Sequence, residues 1–185
     1  MKLLVVTASV REGRAGEKVT NWFAQQVKSD GRFDLEIVDL KKLNLSYELS
    51  EQPPSQVEGG QYSREEDREW AKKVDSADAV VFVSPEYNHG YPASLKNAVD
   101  HLFSEWNNKA VAFVGYGASG APYSQAAFAL VAAWVKMDLV GARVGISEIW
   151  AAFDENGELN FADYYEHQAK GVLESLASKV TAKVA

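Results

Sequence analysis

Short apolar runs alternate with longer segments of helical period along nearly the whole of this chain. A run that is apolar at every position suits a strand covered on both faces, and parallel strands of that kind are joined by helical crossovers. The rhythm therefore predicts βαβ units around a parallel sheet. Strands are expected at residues 3–7, 33–40, 79–83, 110–115 and 142–149. The second alternates (Phe33, Leu35, Ile37, then Val38 and Leu40), as a more exposed strand does. Helical spacing links Val19, Trp22, Phe23, Gln26 and Val27, and again Leu95, Ala98, Val99, Leu102 and Phe103. Ser63 and Glu66 have the spacing of a capping box, and Pro92 and Pro122 suit first helical positions. The helix after Pro122 is expected to run to about Lys136, and a closing amphipathic helix carries Phe161, Tyr165, Ala169, Val172, Leu173, Leu176 and Val180.

Residues 41–62 read as a polar excursion within the domain, marked by Pro53-Pro54 and Gly59-Gly60, and Asp154-Glu155-Asn156-Gly157 reads as a turn. Five strands alternating with five helices, without an internal repeat, fit a doubly wound α/β sheet. Spacing leaves the strand order open. The order 2-1-3-4-5 is the one expected, with right-handed crossovers.

At 185 residues the chain is expected to be a single domain, 1–185, able to bury roughly 70% of the surface its unfolded form exposes. A net charge of −7 argues against a nucleic-acid binder, because phosphate neutralisation needs clustered Lys and Arg. Cysteine is absent, which removes disulfides, thiolate metal sites and cysteine nucleophiles together. The apolar run Leu3-Leu4-Val5-Val6 is too short for a signal-peptide core, and no window approaches the ~20 apolar residues of a spanning helix. A soluble, cytoplasmic protein is expected, with no membrane or nucleic-acid partner.

Three strand-to-helix connections carry the residues from which a binding site is made. Ligands of open α/β sheets bind where the carboxyl ends of the strands meet the following helices. The first connection, residues 7–16, combines Thr7, Ser9, Arg11, Arg14, Gly13 and Gly16 just ahead of a helix. A helix N-terminus offers free N–H groups and partial positive charge to an anion, and Ser9, Arg11 and Arg14 add charge-assisted hydrogen bonds. The second, residues 84–90, is stiffened by Pro85, and Asn88 tolerates unusual dihedrals. Glu86 invites an acid/base role and His89 a proton-transfer role. Against these stand a carboxylate bonded to backbone amides and a solvent-exposed histidine.

The third connection, Gly115-Tyr116-Gly117-Ala118-Ser119-Gly120, matches the dinucleotide pattern G-x-G-x-x-G, with Asp138 near the distance of a ribose-binding acid. That fingerprint belongs on the first strand of its fold, however, and here it follows the fourth. A glycine-rich turn packed against the same ligand as the other two loops fits better. The three histidines, His89, His101 and His167, lack metal-ligand spacing, and neither a nucleophile elbow nor a Walker A motif occurs.

The run S-P-E-Y-N-H-G-Y-P-A-S-L-K-N-A-V-D over residues 84–100 resembles the S-P-x-Y-N-x-x-x-P-x-x-L-K-N-x-x-D signature of the NADPH-dependent FMN reductase family, with every fixed position present. The first loop is similar to the family's G-S-x-R phosphate loop, with Ala8 in place of the Gly and Ala15-Gly16 where a downstream Ser is common. The resemblance implies a flavodoxin-like three-layer α/β/α sandwich around a five-stranded parallel sheet. It implies FMN as cofactor and NADPH or NADH as electron donor, with ping-pong hydride transfer to a small acceptor such as a quinone, azo compound, free flavin or metal oxyanion. Catalysis would then lie on the flavin rather than on a side chain. Cofactor contacts implied are Ser9, Arg11, Arg14 and Gly16 at the phosphate, Pro85, Glu86, Tyr87 and Asn88 along the ring, and Gly117, Ala118, Ser119 and Gly120 at the glycine-rich turn. A homodimer or homotetramer is implied too, and the nearly continuous apolar stretch 126–135 offers a second face for a partner subunit or a neighbouring helix to cover.

A non-enzymatic electron carrier of flavodoxin type, or a flavin-dependent interaction protein, is the competing reading. Flavodoxins carry a T-x-T-G-x-T phosphate loop, whereas Arg11 and Arg14 here suit the reductases.

Overall fold

In the computed structural model, which describes residues 1–43 and 45–183, side-chain parity along the strands sets the architecture. Leu3, Val5, Val81, Val83, Ala112 and Val114 enter one apolar core, and Leu4, Val6, Val80, Phe82, Val111 and Phe113 enter another. The strands are β1 (Lys2–Thr7), β2 (Asp34–Asp39), β3 (Ala79–Pro85), β4 (Ala110–Tyr116) and β5 (Asp138–Ile146). All pairings are parallel and the order is β2-β1-β3-β4-β5, as expected. Every residue of β3 and β4 is buried, which is why these segments are continuous apolar runs.

The helices are α1 (Gly16–Asp30), α2 (Leu40–Leu43), α3 (Glu65–Asp75), α4 (Ala93–Asp100), α5 (Pro122–Trp134) and α6 (Ala162–Ala182). The residues of α1 and α6 fill the first core, and those of α3, α4 and α5 fill the second, so the sheet lies between two helical layers. The fold is the flavodoxin-like three-layer α/β/α sandwich. Gly31 ends α1 in the left-handed region (φ 73°), its N–H reaching Val27 O at 3.2 Å.

Several local expectations give way to tertiary contacts. β5 begins at Asp138, four positions before the expected start, because a bulge opposite Val111–Phe113 lets Gly141 pass inside the strand. The strand also ends at Ile146, which leaves 147–149 in the following loop. No capping box forms at α3. Ser63 Oγ donates to Ser50 Oγ (3.2 Å), Glu66 pairs with Arg64, and the helix opens at Glu65 without a side-chain cap. Pro92 precedes α4 in extended conformation rather than opening it. The same helix stops at Asp100, so Leu102 and Phe103 lie beyond it. Its last carbonyls are taken from outside: Trp70 Nε1 donates to Ala98 O (2.8 Å) and Trp106 Nε1 to Val99 O (3.0 Å), both buried. The excursion after β2 contains the short α2 and a 3-10 turn at Pro54–Gln56.

Candidate functional site

Register brings the three loops together. Thr7 pairs with Val83, and Pro85 with Tyr116, so the connections after β1, β3 and β4 leave the same edge of the sheet side by side. Between them lies a cleft of about 410 Å³. Ser9, Arg11 and Arg14 line it from the first loop, and Pro85, Glu86 and Tyr87 from the second. Tyr116 and Gly117 line it from the third, and Ile149 and Trp150 close it from beyond β5. Gly16, Asn88, Ala118, Ser119 and Gly120 are not among the lining residues. A second cavity of about 450 Å³ is lined by charged surface side chains beside the far end of α1. It lies away from the strand ends where this fold places ligands.

The first loop is held at both ends. Ala8 N donates to Val83 O (2.9 Å), and Ser94 Oγ of α4 donates to Ala8 O (2.5 Å). Ser9, wholly buried, shares a 2.8 Å hydrogen bond between its hydroxyl and that of Tyr87, which ties the first loop to the second. The Arg14 guanidinium grips Asp39 bidentately (2.8 and 2.5 Å) and also reaches Glu17 (2.6 Å) and the Ser9 carbonyl. Its side chain is only 5% exposed. That charge is therefore largely balanced by two carboxylates, while Arg11 lies exposed on the loop. Glu17 in turn is held below the usual carboxylate range by its hydrogen bond from Arg14.

The second loop closes on itself. Tyr87 and Gly90 exchange both backbone hydrogen bonds (2.8 and 3.0 Å), with Asn88 and His89 between them at φ 51° and 61°. Two successive left-handed residues make a type I′ turn, which Asn tolerates better than most residues. His89 stacks on Tyr123 of α5, ring centroids 4.1 Å apart. Glu86 is committed to structure: its carboxylate accepts from Tyr123 N (2.9 Å) and Ser124 N (3.1 Å), capping the N-terminus of α5. Ser124 Oγ also donates to Pro85 O (3.0 Å). The loop is thus clamped to the helix that follows the neighbouring strand.

The glycines of the third loop serve close backbone packing. A Cβ on Gly115 would meet Gly120 O at 2.6 Å, and one on Gly120 (φ 76°) would meet the Gly145 backbone at 2.8 Å. Gly117 N donates to Ile146 O (3.1 Å), and Ile149 N donates to Gly117 O (3.1 Å), tying the turn to the segment after β5. Asp138 rules out the dinucleotide fingerprint. It opens β5 opposite Ala110, at the other end of the sheet from this loop, and pairs with Lys179 at 2.8 Å.

Sequence reasoning missed Tyr116, Ile149 and Trp150 as cleft residues. Tyr116 lies inside the glycine pattern, whose spacing assigns its own side chain no role. Ile149 and Trp150 were hidden by the misplaced end of β5, since a strand ending at Ile146 makes residues 147–151 another strand-to-helix loop at the same edge. Among the described residues no cluster of His, Asp and Glu is arranged to hold a metal ion. The cleft offers hydroxyls, an arginine and the uncapped N-terminus of α1 at one end, and tight loop backbone with aromatic walls at the other. That donor set fits a phosphorylated flat ring.

A flavodoxin-like sheet with such a cleft is of the class of α/β proteins that hold a ligand at the carboxyl ends of their strands. The description NADPH-dependent FMN reductase matches residues 1–151. An NAD(P)H-dependent FMN reductase of Schizosaccharomyces pombe is 40% identical over 137 residues, covering 74% of this chain and 68% of that protein. A quinone reductase of Pseudomonas putida is 31% identical over 165 residues, 84% of this chain and 83% of that one. Among solved structures, the NAD(P)H:acceptor oxidoreductase FerB of Paracoccus denitrificans superposes with a TM-score of 0.77 at 18% identity, covering 96% of this chain and 98% of FerB, a likeness of fold. The chain belongs to the NADPH-dependent FMN reductase family. It is an enzyme, an oxidoreductase that works with FMN and a reduced nicotinamide.

Proposed function

We propose that residues 1–185 form one FMN-binding domain that passes electrons from NADPH or NADH to a small oxidised acceptor in ping-pong fashion, in the cytoplasm. Quinones, azo compounds, free flavins and metal oxyanions are the acceptor classes, and the quinone reductase relative favours quinones. The observation that carries this reading is the cleft between the three loops, which pairs an anion-binding end with a flat, backbone-lined end.

Bound FMN supplies the hydride-accepting and hydride-donating chemistry. The protein supplies position. Ser9, Arg11 and the amides at Gly16 hold the phosphate at the positive end of the α1 dipole. Arg14 acts chiefly on the loop itself, fastening it to β2 through Asp39. Pro85, Tyr87 and Asn88 present a stiff backbone edge to the ring, with Glu86 fixing that edge to α5. Gly117, Ala118, Ser119 and Gly120 let the opposite wall approach closely, and Trp150 covers the open side. With Glu86 bound to backbone amides, no side-chain acid or base is assigned a proton.

The subunits associate as a homodimer or homotetramer through the exposed apolar face of α5. The competing reading, a flavodoxin-type carrier, is separated by anaerobic addition of NADPH to the yellow protein. Loss of the flavin absorbance within a turnover supports the reductase. A flavin that stays oxidised until a second reductase is added supports the carrier, and a protein that does not turn yellow with FMN sinks both.

A further inference from the structure

We infer that the phenol of Tyr116 is a hydrogen-bond donor to the flavin phosphate, at the helix start where Ala15 and Gly16 bring no hydroxyl. The inference rests on the FMN reading above. Tyr116 is the last residue of β4, yet its side chain crosses to the N-terminus of α1, where a Cβ on Gly16 would stand 2.6 Å from the phenol oxygen. The residue is 4% exposed and lines the cleft, and its hydroxyl, set beside Ser9, makes no hydrogen bond of ordinary length and geometry. A buried hydroxyl left unpaired carries a desolvation cost that a bond to a ligand oxygen would return.

Each neighbouring group points the same way. Ala15 caps α1 without a side-chain hydrogen bond, so the first amides of a 15-residue helix face the same space. Residues 15 and 16, Ala and Gly, bring no hydroxyl. Arg14 is bound to Asp39 and Glu17, and the Ser9 hydroxyl is shared with Tyr87, so neither meets a phosphate with its full hydrogen-bonding capacity. Burial holds the Tyr116 phenol well above the usual tyrosine range, so it remains a neutral donor at any physiological pH. Gly16 is then required for space rather than for backbone freedom: any side chain there would displace the phenol.

The test uses the full chain stripped of flavin and titrated with FMN and with riboflavin, which lacks the phosphate. Tyr116→Phe should raise the Kd for FMN about tenfold, the loss of one charge-assisted hydrogen bond, and leave that for riboflavin unchanged. Gly16→Ala should weaken FMN binding as well, and Gly16→Ala combined with Tyr116→Phe should be no weaker than Tyr116→Phe alone. An unchanged FMN Kd in Tyr116→Phe overturns the inference, and so does an equal loss for both flavins, which marks a merely structural role. Failure of the unsubstituted protein to bind FMN sinks the cofactor reading instead.

Discussion

Glu86 and Arg14 stand in loops that face the ligand, yet each spends its charge on the protein. The Glu86 carboxylate accepts two amides at the start of α5, whose preceding residue Ala121 is itself left-handed at φ 58°. Arg14 and Asp39 are a nearly buried bidentate pair, with side chains 5% and 12% exposed. Breaking such a pair on one side leaves an uncompensated charge, which is costlier than removing both partners. Arg14→Ala should therefore lower the stability of the flavin-free protein by about 3 kcal/mol, with Arg14→Ala/Asp39→Ala recovering part of the loss. Urea unfolding of the flavin-free proteins measures it. A contact reserved for the phosphate would leave flavin-free stability unchanged. Glu86→Ala should cost about 1 kcal/mol as a lost helix cap while the pH profile of flavin reduction keeps its shape.

At the scale of elements, the polar excursion after β2 is fastened by buried and half-buried hydrogen bonds as well as by Leu45, Val57 and Tyr62, which pack on the second core. His101, just past α4, faces Asp67 Oδ1 of α3 with Nδ1 (2.5 Å) and the Ser46 carbonyl with Nε2 (2.8 Å). Ser50 Oγ donates to the other Asp67 oxygen (3.1 Å). On the same face of the sheet, Glu36 of β2 bridges Lys2 of β1 (2.8 Å) and Lys73 of α3 (2.7 Å). Hydrogen bonds from Lys2 and then Lys73 hold Glu36 below the usual carboxylate range. A carboxyl depressed in the folded state adds stability that is complete above its unfolded pKa and is lost as pH falls through its folded one. Glu36→Gln should thus cost about 1 kcal/mol near pH 7, and its stability should converge on that of the unsubstituted protein in acid, below the carboxylate range. Urea midpoints at the two pH values decide it, and a gap that persists in acid would refute the pairing as its source.

For the whole molecule, α5 carries an exposed apolar outer face among the described residues. Tyr123, Leu130 and Trp134 are 53%, 78% and 78% exposed, at positions that share one helical face. Tyr123 also stacks on His89 of the ligand-facing turn, so a subunit seated on α5 would stand next to the cleft. Leu130→Glu/Trp134→Glu should convert an oligomer into a monomer in sedimentation equilibrium, with the FMN spectrum retained. An unsubstituted protein that sediments as a monomer at micromolar concentration would remove this role for α5.

The residues alone determined the element types, the parallel sheet and the ligand-bearing edge. Strands apolar on every position and helices apolar on one face have few ways to bury themselves, and the loops rich in Gly, Ser, Arg and Asn are left at the strand ends. Composition likewise argues against a nucleic-acid binder, and the absence of cysteine removes thiolate chemistry. What only the tertiary structure decided were pairings between residues far apart in the chain. Arg14 meets Asp39 across 25 positions and Glu86 meets Tyr123 across 37, and no local spacing encodes either. Tyr116 stands between two glycines in sequence, and only the sheet brings it to Gly16, a hundred positions earlier. The start of β5 and the end of α4 are not local either: a bulge shapes the first, and indoles from Trp70, 28 positions away, and from Trp106 take carbonyls at the second. Local periodicity is read from neighbours in sequence, whereas the charge and hydrogen-bond state of a side chain depends on neighbours in space.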